Sequence, residues 1–141
     1  MKIATFPANY ASVRIICNIV TEHAKTINFS SRELYGIELA TDEACANIID
    51  HAYCGENLGS IHLFIETTDK EIKIVLEDAG KPFEPAEVLP PDLESPLEIR
   101  AERGLGVFLI KTLMDEVNFE NPEPGLNRLT MIKHAKELAT R

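Results

Sequence analysis

Two neighbouring segments of alternating hydrophobicity constrain the fold of this 141-residue chain most strongly. The segments SIHLFIETT and EIKIVLEDAG each carry three apolar side chains at every second position: Ile61, Leu63 and Ile65 in the first, and Ile72, Ile74 and Leu76 in the second. Because successive side chains of a strand point to opposite faces, each segment predicts a strand with one buried face. The short TDK between them predicts a turn and therefore an antiparallel hairpin.

Apolar residues at helical spacing occur before this hairpin and again after it. Apolar residues recur at intervals of three and four over about residues 9–28 and again up to about Tyr53. Ser30 or Ser31 is a suitable N-cap for the second helix, with Glu33 in its first turn, and Gly55 follows its end. The segment GLGVFLIKTLMDEV predicts a third helix. Residues 1–6, VNFEN and LNRLTMIKH predict three more strands, the last two joined by the turn PEPG.

The order of elements is therefore β-α-α-β-β-loop-α-β-β, with strands grouped as hairpins. This order predicts an α+β fold: a two-layer sandwich in which three helices cover one face of a mixed, largely antiparallel sheet. We expect one domain over residues 1–141, because 141 residues is close to the commonest domain size. Residues 81–103 are rich in proline and glutamate, and a loop of this length inside a domain is typical of a lid or a binding loop.

Composition narrows the possible partners. The formal net charge of −9 argues against nucleic acid, whose backbone requires a basic face, but not against a nucleotide held by backbone N–H groups and a metal ion. No apolar run approaches the roughly 20 residues that cross a bilayer, and the N-terminus lacks a signal-peptide pattern, so we expect no membrane partner and a cytoplasmic protein. Three cysteines without a repeated CxxC pair argue against a disulfide framework.

The segment DEACANIIDHAY places Glu43, Asn47 and His51 at intervals of four on one helix face. Such a face is most often simply solvated. Its functional interpretation is a carboxylate that accepts a proton beside an amide oxygen that binds Mg²⁺. His51 could be a phosphate neighbour or a proton shuttle, but a structural role at the helix end is favoured.

Two glycine motifs extend this interpretation. Asp78-Ala79-Gly80 ends a predicted strand, where the carboxylate could accept a hydrogen bond from an exocyclic amine and the glycine would let a ring approach the backbone. Gly104-Leu105-Gly106 opens a predicted helix, where bare N–H groups attract phosphate. Each motif alone is most often an ordinary turn, but the three in this order predict a nucleotide site.

EACANIIDHAY, EDAGKPF and RGLGVFLIKTLMDEV resemble the N, G1 and G2 boxes of the GHKL ATP-binding fold, and most of all its small anti-sigma-factor serine/threonine kinase branch. The closing strand, with Gly125, Asn127 and Lys133, also resembles the corresponding strand of this fold. The DAGKPF segment lacks the second glycine that is usual in the wider superfamily, and the PF form is common in the smaller branch. The resemblance covers nearly the whole chain and implies that residues 81–103 form the ATP lid.

The resemblance also implies a role for individual residues. Glu43 would be the general base, Asn47 the Mg²⁺ ligand, and Asp78 the acceptor for the adenine amino group, above Gly80. The backbone of Gly104, Leu105 and Gly106 would bind the phosphates of ATP, and Thr130 would support adenine through water. Arg103 and Arg100 both remain candidates for a contact with the γ-phosphate.

The activity implied by the resemblance is phosphorylation of a serine or threonine on a STAS-type anti-anti-sigma protein, together with binding of a sigma factor. Members of this branch commonly dimerise, so a homodimer is possible. A non-catalytic ATP-binding switch or interaction module is the alternative. A slow ATPase is a third hypothesis. It is less favoured, because the sequence shows no transducing domain.

Overall fold

A computed structural model of the protein describes residues 2–82 and 103–136. Its elements in chain order are β1 (Lys2–Pro7), α1 (Tyr10–Ala24), α2 (Ser31–Asn47), a π-helical turn (Ile48–Ala52), β2 (Ser60–Thr67), β3 (Glu71–Asp78), α3 (Arg103–Leu113), β4 (Glu116–Glu123) and β5 (Leu126–His134). Residues 83–102, which hold most of the predicted lid, and residues 137–141 lie outside the described part. None of the described helices combines the length and the hydropathy that a membrane-spanning helix requires.

The five strands form one open sheet in the order β1-β2-β3-β5-β4, and all four pairings are antiparallel. The two predicted hairpins are both present, β2 with β3 and β4 with β5. The pairing of β3 with β5 joins the hairpins and sets Asp78 opposite Asn127 at one end of the sheet. This pairing brings the end of the DAG-containing strand beside the closing strand.

The helices cover one face of the sheet, which confirms the predicted two-layer α+β sandwich. The inward faces of the helices and strands form one buried core, in which the six alternating residues of the hairpin β2–β3 are all 5% exposed or less. The apolar residues at helical spacing in the first helix are buried on the inward face of α1. They are Val13, Ile16, Cys17, Val20 and Ala24. Cys17 and Cys45 are buried free thiols, whereas Cys54 is exposed.

Local polar contacts fix where the helices begin. The Asn9 side chain accepts a hydrogen bond from the Ser12 N–H and caps α1. Ser30, rather than Ser31, caps α2 in a reciprocal capping box with Glu33, which satisfies two otherwise unpaired N–H groups.

Two predicted helix ends are corrected. The first helix stops at Ala24 rather than near residue 28. The third stops at Leu113, although the DEV segment continued the helical pattern. Strand pairing determines this second end, since the Asp115 N–H donates to the Ile132 carbonyl and Val117 already pairs with Met131.

The second helix widens into a π-helical turn directly after Asn47. The Tyr53 N–H donates to the Ile48 carbonyl at 2.9 Å, an i to i+5 bond that replaces the usual i to i+4 bond. Cys54, with φ 62°, then takes the left-handed conformation that ends the helical segment. Such π-helical turns occur frequently at functional sites.

Candidate nucleotide site

The first turn of α3 packs directly on the Glu43–Asn47 face of α2. Gly106 is buried there, and a Cβ atom at this position would lie 3.0 Å from Glu43 Oε2 and 3.5 Å from Asn47 Oδ1. A side chain at this position would force the Glu43 carboxylate to move by a few tenths of an ångström. Two of the three predicted motifs are therefore in contact, and the glycine in the first turn of α3 faces the carboxylate and the amide of α2.

Glu43 lies half-buried in this contact. Burial raises the pKa of its carboxyl, and the nearby carboxylates of Asp42 and Asp50 raise it further. Both effects disfavour the charged form. A carboxylate with a raised pKa holds a proton more firmly, which suits a general base that works near neutral pH.

Asn47 has a buried side-chain nitrogen, Nδ2, without a hydrogen-bond partner within the described residues. Buried polar atoms are nearly always paired, so an orphaned one calls for an explanation. Its amide oxygen is a ligand type that Mg²⁺ accepts alongside phosphate and water oxygens. The orphaned N–H donor next to Gly106 fits an acceptor such as a phosphate oxygen, and the oxygen of the same amide fits Mg²⁺.

The third motif is joined to Asn47 by a cavity of about 40 Å³. Its walls are Ala44, Asn47, Ile48, Ala52, Asp78, Lys81, Phe119, Glu120, Asn127, Arg128 and Leu129. The volume is small beside ligand pockets of roughly 300–1,000 Å³, so a base would enter only if side chains at the mouth move apart. The cavity nevertheless runs between the two residues predicted for the phosphate end and the base end.

Asp78 is 5% exposed and is held by hydrogen bonds. Its Oδ1 accepts from the Gly80 N–H and from Asn127 Nδ2, both at 2.8 Å. Gly80 packs against the end of the π-helical turn, where an added Cβ would lie 2.6 Å from the Ala52 carbonyl oxygen. Glycine at position 80 is thus required by the neighbouring backbone as well as by any ring above it.

Asn127 was named in the sequence analysis only as part of the resemblance of the closing strand, without a role in the site. Its Nδ2 also donates to the carbonyls of Gly80 and Lys81, and its Oδ1 accepts from Asn121. A usable signal existed, because Asn127 is a polar residue on the face of β5 that otherwise carries Leu129 and Met131. Identifying it required the register of β5 against β3.

Thr130 is not brought to this cavity. Side chains alternate along β5, so Thr130 lies on the face opposite Leu129, in surface grooves that also contain Lys73 and Glu120. The adenine contact that the resemblance implied for Thr130 therefore has no structural support, and Asn127 occupies the inward position instead.

The remaining predicted residues are placed only in part. Gly104, Leu105 and Gly106 lie in the first turn of α3, which begins at Arg103. The side chain of Arg103 and the whole of Arg100 lie outside the described part, so the choice between them stays a prediction. Arg128, at the cavity mouth, is engaged by Glu77 at 2.7 Å, and this hydrogen bond raises the pKa of its guanidinium.

His51 lies half-buried in the π-helical turn, where its carbonyl accepts a weak contact from the Cys54 thiol at 3.5 Å. This contact involves the backbone and not the imidazole, so the structural role of His51 stays a prediction.

Comparison with known proteins identifies the family to which this chain belongs. The family model described as "Histidine kinase-like ATPase domain" matches residues 6–133, so the chain belongs to this family. Over 121 residues it is 32% identical to proteins named serine-protein kinase RsbW from Bacillus cereus (strain AH820) and Bacillus anthracis (strain A0248). These alignments cover 83% of this chain and 75% of each relative. The GHKL resemblance and its serine-kinase branch are thereby confirmed.

Solved structures support the fold. The catalytic domain of histidine kinase ThkA superposes with a TM-score of 0.57 at 15% identity, covering 95% of this chain and 96% of that one. A mycobacterial sensor histidine kinase, MprB, superposes with a TM-score of 0.51 at 13% identity, covering 96% and 100%. At such identities the likeness concerns the fold alone.

Proposed function

We propose that this chain is an ATP-dependent serine/threonine protein kinase that acts as an anti-sigma factor and phosphorylates a STAS-type anti-anti-sigma protein. The observation that carries the proposal is the contact of Gly106 with Glu43 and Asn47, next to a cavity that ends at Asp78. The RsbW relatives, which are named serine-protein kinases, support this class of activity.

In this mechanism Glu43 accepts the proton of the partner's hydroxyl as the hydroxyl oxygen attacks the γ-phosphorus of ATP. The bond between the γ-phosphorus and the β,γ-bridging oxygen breaks, and ADP leaves with that oxygen. The raised pKa of Glu43 favours this proton transfer near neutral pH. Backbone N–H groups of Gly104, Leu105 and Gly106 bind phosphate oxygens at the positive end of α3. Arg103 is a further candidate for a phosphate contact.

Asn47 would hold Mg²⁺ through its side-chain oxygen. The chemistry that such an ion would supply is positive charge, which would offset the negative charge that develops during phosphoryl transfer. At the other end of the cavity Asp78 accepts a hydrogen bond from the adenine amino group, with Gly80 below the ring. Asn127 orients the Asp78 carboxylate through its 2.8 Å hydrogen bond.

The regulatory part of the proposal rests on the family resemblance. A sigma factor and a STAS-type protein are the proposed partners, and a cytoplasmic location and a homodimer are part of the same proposal. We further propose that the chain forms one domain and that residues 81–103 form the ATP lid, which would order over bound nucleotide.

The decisive test is phosphoryl transfer from γ-labelled ATP with Mg²⁺, using STAS-type proteins of the same genome as acceptors. We expect label on a partner serine or threonine. Glu43→Gln should lower the transfer rate by roughly 10²- to 10⁴-fold, the usual contribution of a general base, and should leave ATP binding intact. Glu22→Gln is the matched control, because Glu22 is an exposed carboxylate of α1 that forms an ion pair with Lys25 at the end of the helix.

The opposite results are equally informative. Transfer that survives Glu43→Gln would contradict the role of this residue as base. Tight ATP binding without transfer to any STAS partner would favour the alternative, a non-catalytic ATP-binding switch or interaction module.

A further inference from the structure

The hydroxyl of Tyr53 joins three backbone groups, two at the start of β2 and one in the turn after β3. It donates to the Ser60 carbonyl at 2.7 Å and accepts from the N–H groups of Ser60 at 3.2 Å and Ala79 at 3.0 Å. A phenol oxygen can donate one hydrogen bond and accept two. Its capacity is therefore filled by the start of β2 and by the turn that follows β3.

Tyr53 and Ala52 hold the Asp78–Lys81 turn from both sides of Gly80. The Lys81 N–H donates to the Ala52 carbonyl at 2.8 Å, and the Ala79 N–H donates to the Tyr53 hydroxyl. Both holding residues lie at the end of the π-helical turn that begins one residue after Asn47. A short, hydrogen-bonded path thus runs from the Asn47 helix to the turn that carries Asp78.

The Tyr53 ring packs directly against the backbone of Gly59. A Cβ atom at residue 59 would lie 2.2 Å from Tyr53 Cε1 and 2.3 Å from Cζ, closer than real atoms approach. The ring therefore occupies the space where any other residue would place its side chain. Gly59 and Tyr53 can be changed separately, although both determine where the same hydroxyl lies.

We infer that Tyr53 is a positioning residue for nucleotide recognition, which sets the distance between the Asp78 turn and the Asn47 helix. The inference rests on the proposed function, because it assigns the base to the Asp78 end and the phosphates to the Asn47 end. A nucleotide must meet both ends at once. A turn released from Tyr53 would still carry Asp78 but would present it at the wrong distance from Asn47.

Calorimetric titration with Mg²⁺-ATP and with Mg²⁺-GTP tests this inference. In Tyr53→Phe we expect the Kd for ATP to rise about tenfold and the Kd for GTP to change less than about threefold. The preference for ATP over GTP should therefore fall, since the Asp78 carboxylate selects an amino group only when it is correctly placed. A merely structural role would weaken the binding of both nucleotides equally and leave this preference unchanged.

Two further variants complete the experiment. Gly59→Ala displaces the Tyr53 ring while keeping its hydroxyl, and it should also lower the preference for ATP over GTP. This variant tests the inference even if Tyr53→Phe folds poorly. Ile72→Val is the destabilisation control, because Ile72 is fully buried at the other end of β3, about 20 Å from Asp78. It should lower the melting temperature and leave the preference intact.

The outcomes distinguish failure of the Tyr53 inference from failure of the proposed function. Wild-type preference for ATP that is unchanged in both Tyr53→Phe and Gly59→Ala would overturn the role of Tyr53 and leave the proposed function standing. A wild-type chain that binds neither nucleotide would overturn both.

Discussion

The two ends of the candidate site are built in opposite ways. At the base end, Asp78 and Asn127 are buried at 5% and 8% exposure and are tied by hydrogen bonds to each other, to Asn121 and to the Gly80–Lys81 backbone. At the phosphate end, Glu43 and Asn47 lie half-buried against Gly106, and the Asn47 side-chain nitrogen has no partner in the described part of the chain.

This difference indicates a division of labour. A satisfied polar network is rigid and keeps its geometry without a ligand. An unsatisfied buried amide costs free energy in the empty protein, and a ligand that pairs with it recovers that free energy. Under the proposed function, the base end would therefore present a fixed template, whereas the phosphate end would be completed by the nucleotide and its metal ion.

Asn127→Leu should produce the largest effect. The substitution leaves the Asp78 carboxylate and the Gly80 and Lys81 carbonyls without the donor that all three share. Losing one member of a buried polar network costs about 1–3 kcal/mol for each group left unpaired. We expect the free energy of unfolding to fall by about 3 kcal/mol, measured by urea denaturation, and the melting temperature to fall by roughly 10 °C.

The matched control for Asn127→Leu lies one residue away. Arg128, on the same strand as Asn127, forms a partly exposed ion pair with Glu77 of β3, and Arg128→Leu should cost only about 1 kcal/mol. If Asn127→Leu were as mild as Arg128→Leu, the base end would not be the rigid half of the site.

Asn47→Leu should change stability in the opposite direction. Replacing an orphaned buried amide by an apolar group of similar branching removes a desolvation cost of about 1–3 kcal/mol. We expect the nucleotide-free protein to melt at a higher temperature than wild type. The additional rise that Mg²⁺-ATP produces in wild type by mass action should be lost.

Thermal melts with and without Mg²⁺-ATP measure both changes in one experiment. A nucleotide-free Asn47→Leu protein that is less stable than wild type would mean that the amide is paired in solution. The contrast between the two ends of the site would then disappear.

The predictability of these two ends from sequence differs as well. Glu43, Asn47 and Gly106 belong to short motifs whose spacing alone places them on a helix face or in a helix turn, so the sequence could identify them. Asn127 gains its role from the pairing of β3 with β5, two strands separated by 47 residues or more along the chain. Local periodicity carries no information on such a register.

The same distinction explains the fold. The hairpin β2–β3 and the buried face of α1 follow from local alternation and helical spacing, and both predictions are confirmed. The end of α3 at Leu113 was missed because the DEV segment is compatible with a helix until β5 offers it a pairing partner. The π-helical turn was missed because one extra residue in a helical turn leaves no compositional mark.

Gly106→Ala should have a smaller effect, confined to the phosphate end. Its Cβ would lie 3.0 Å from Glu43 Oε2, so the carboxylate must move by a few tenths of an ångström. We expect kcat for phosphoryl transfer to fall about tenfold, since misplacement of a catalytic group by a small distance is costly. The Kd for ATP should change less than about threefold.

Gly125→Ala is not a suitable control for this change, because Gly125 has a φ of 82° and would be strained by any side chain. Gly36→Ala is better matched, since its Cβ would meet only the flexible Leu113 side chain at 3.3 Å. Equal losses of kcat in Gly106→Ala and Gly36→Ala would point to general packing rather than to displacement of Glu43.

Asp42→Asn should have the smallest effect, on the pH dependence of phosphoryl transfer. Burial chiefly raises the pKa of Glu43, and Asp42 and Asp50 add to that rise. Because the ionised carboxylate is the active form of the base, the transfer rate rises as pH increases through this pKa. Removing the Asp42 charge lowers the pKa of Glu43, so the acidic limb of the rate profile should move to lower pH while its plateau is unchanged.

Asp69→Asn is the control, because Asp69 lies in the exposed turn between β2 and β3, and it should leave the acidic limb in place. A limb that moves to higher pH in Asp42→Asn, or equally in both variants, would exclude Glu43 as the titrating group.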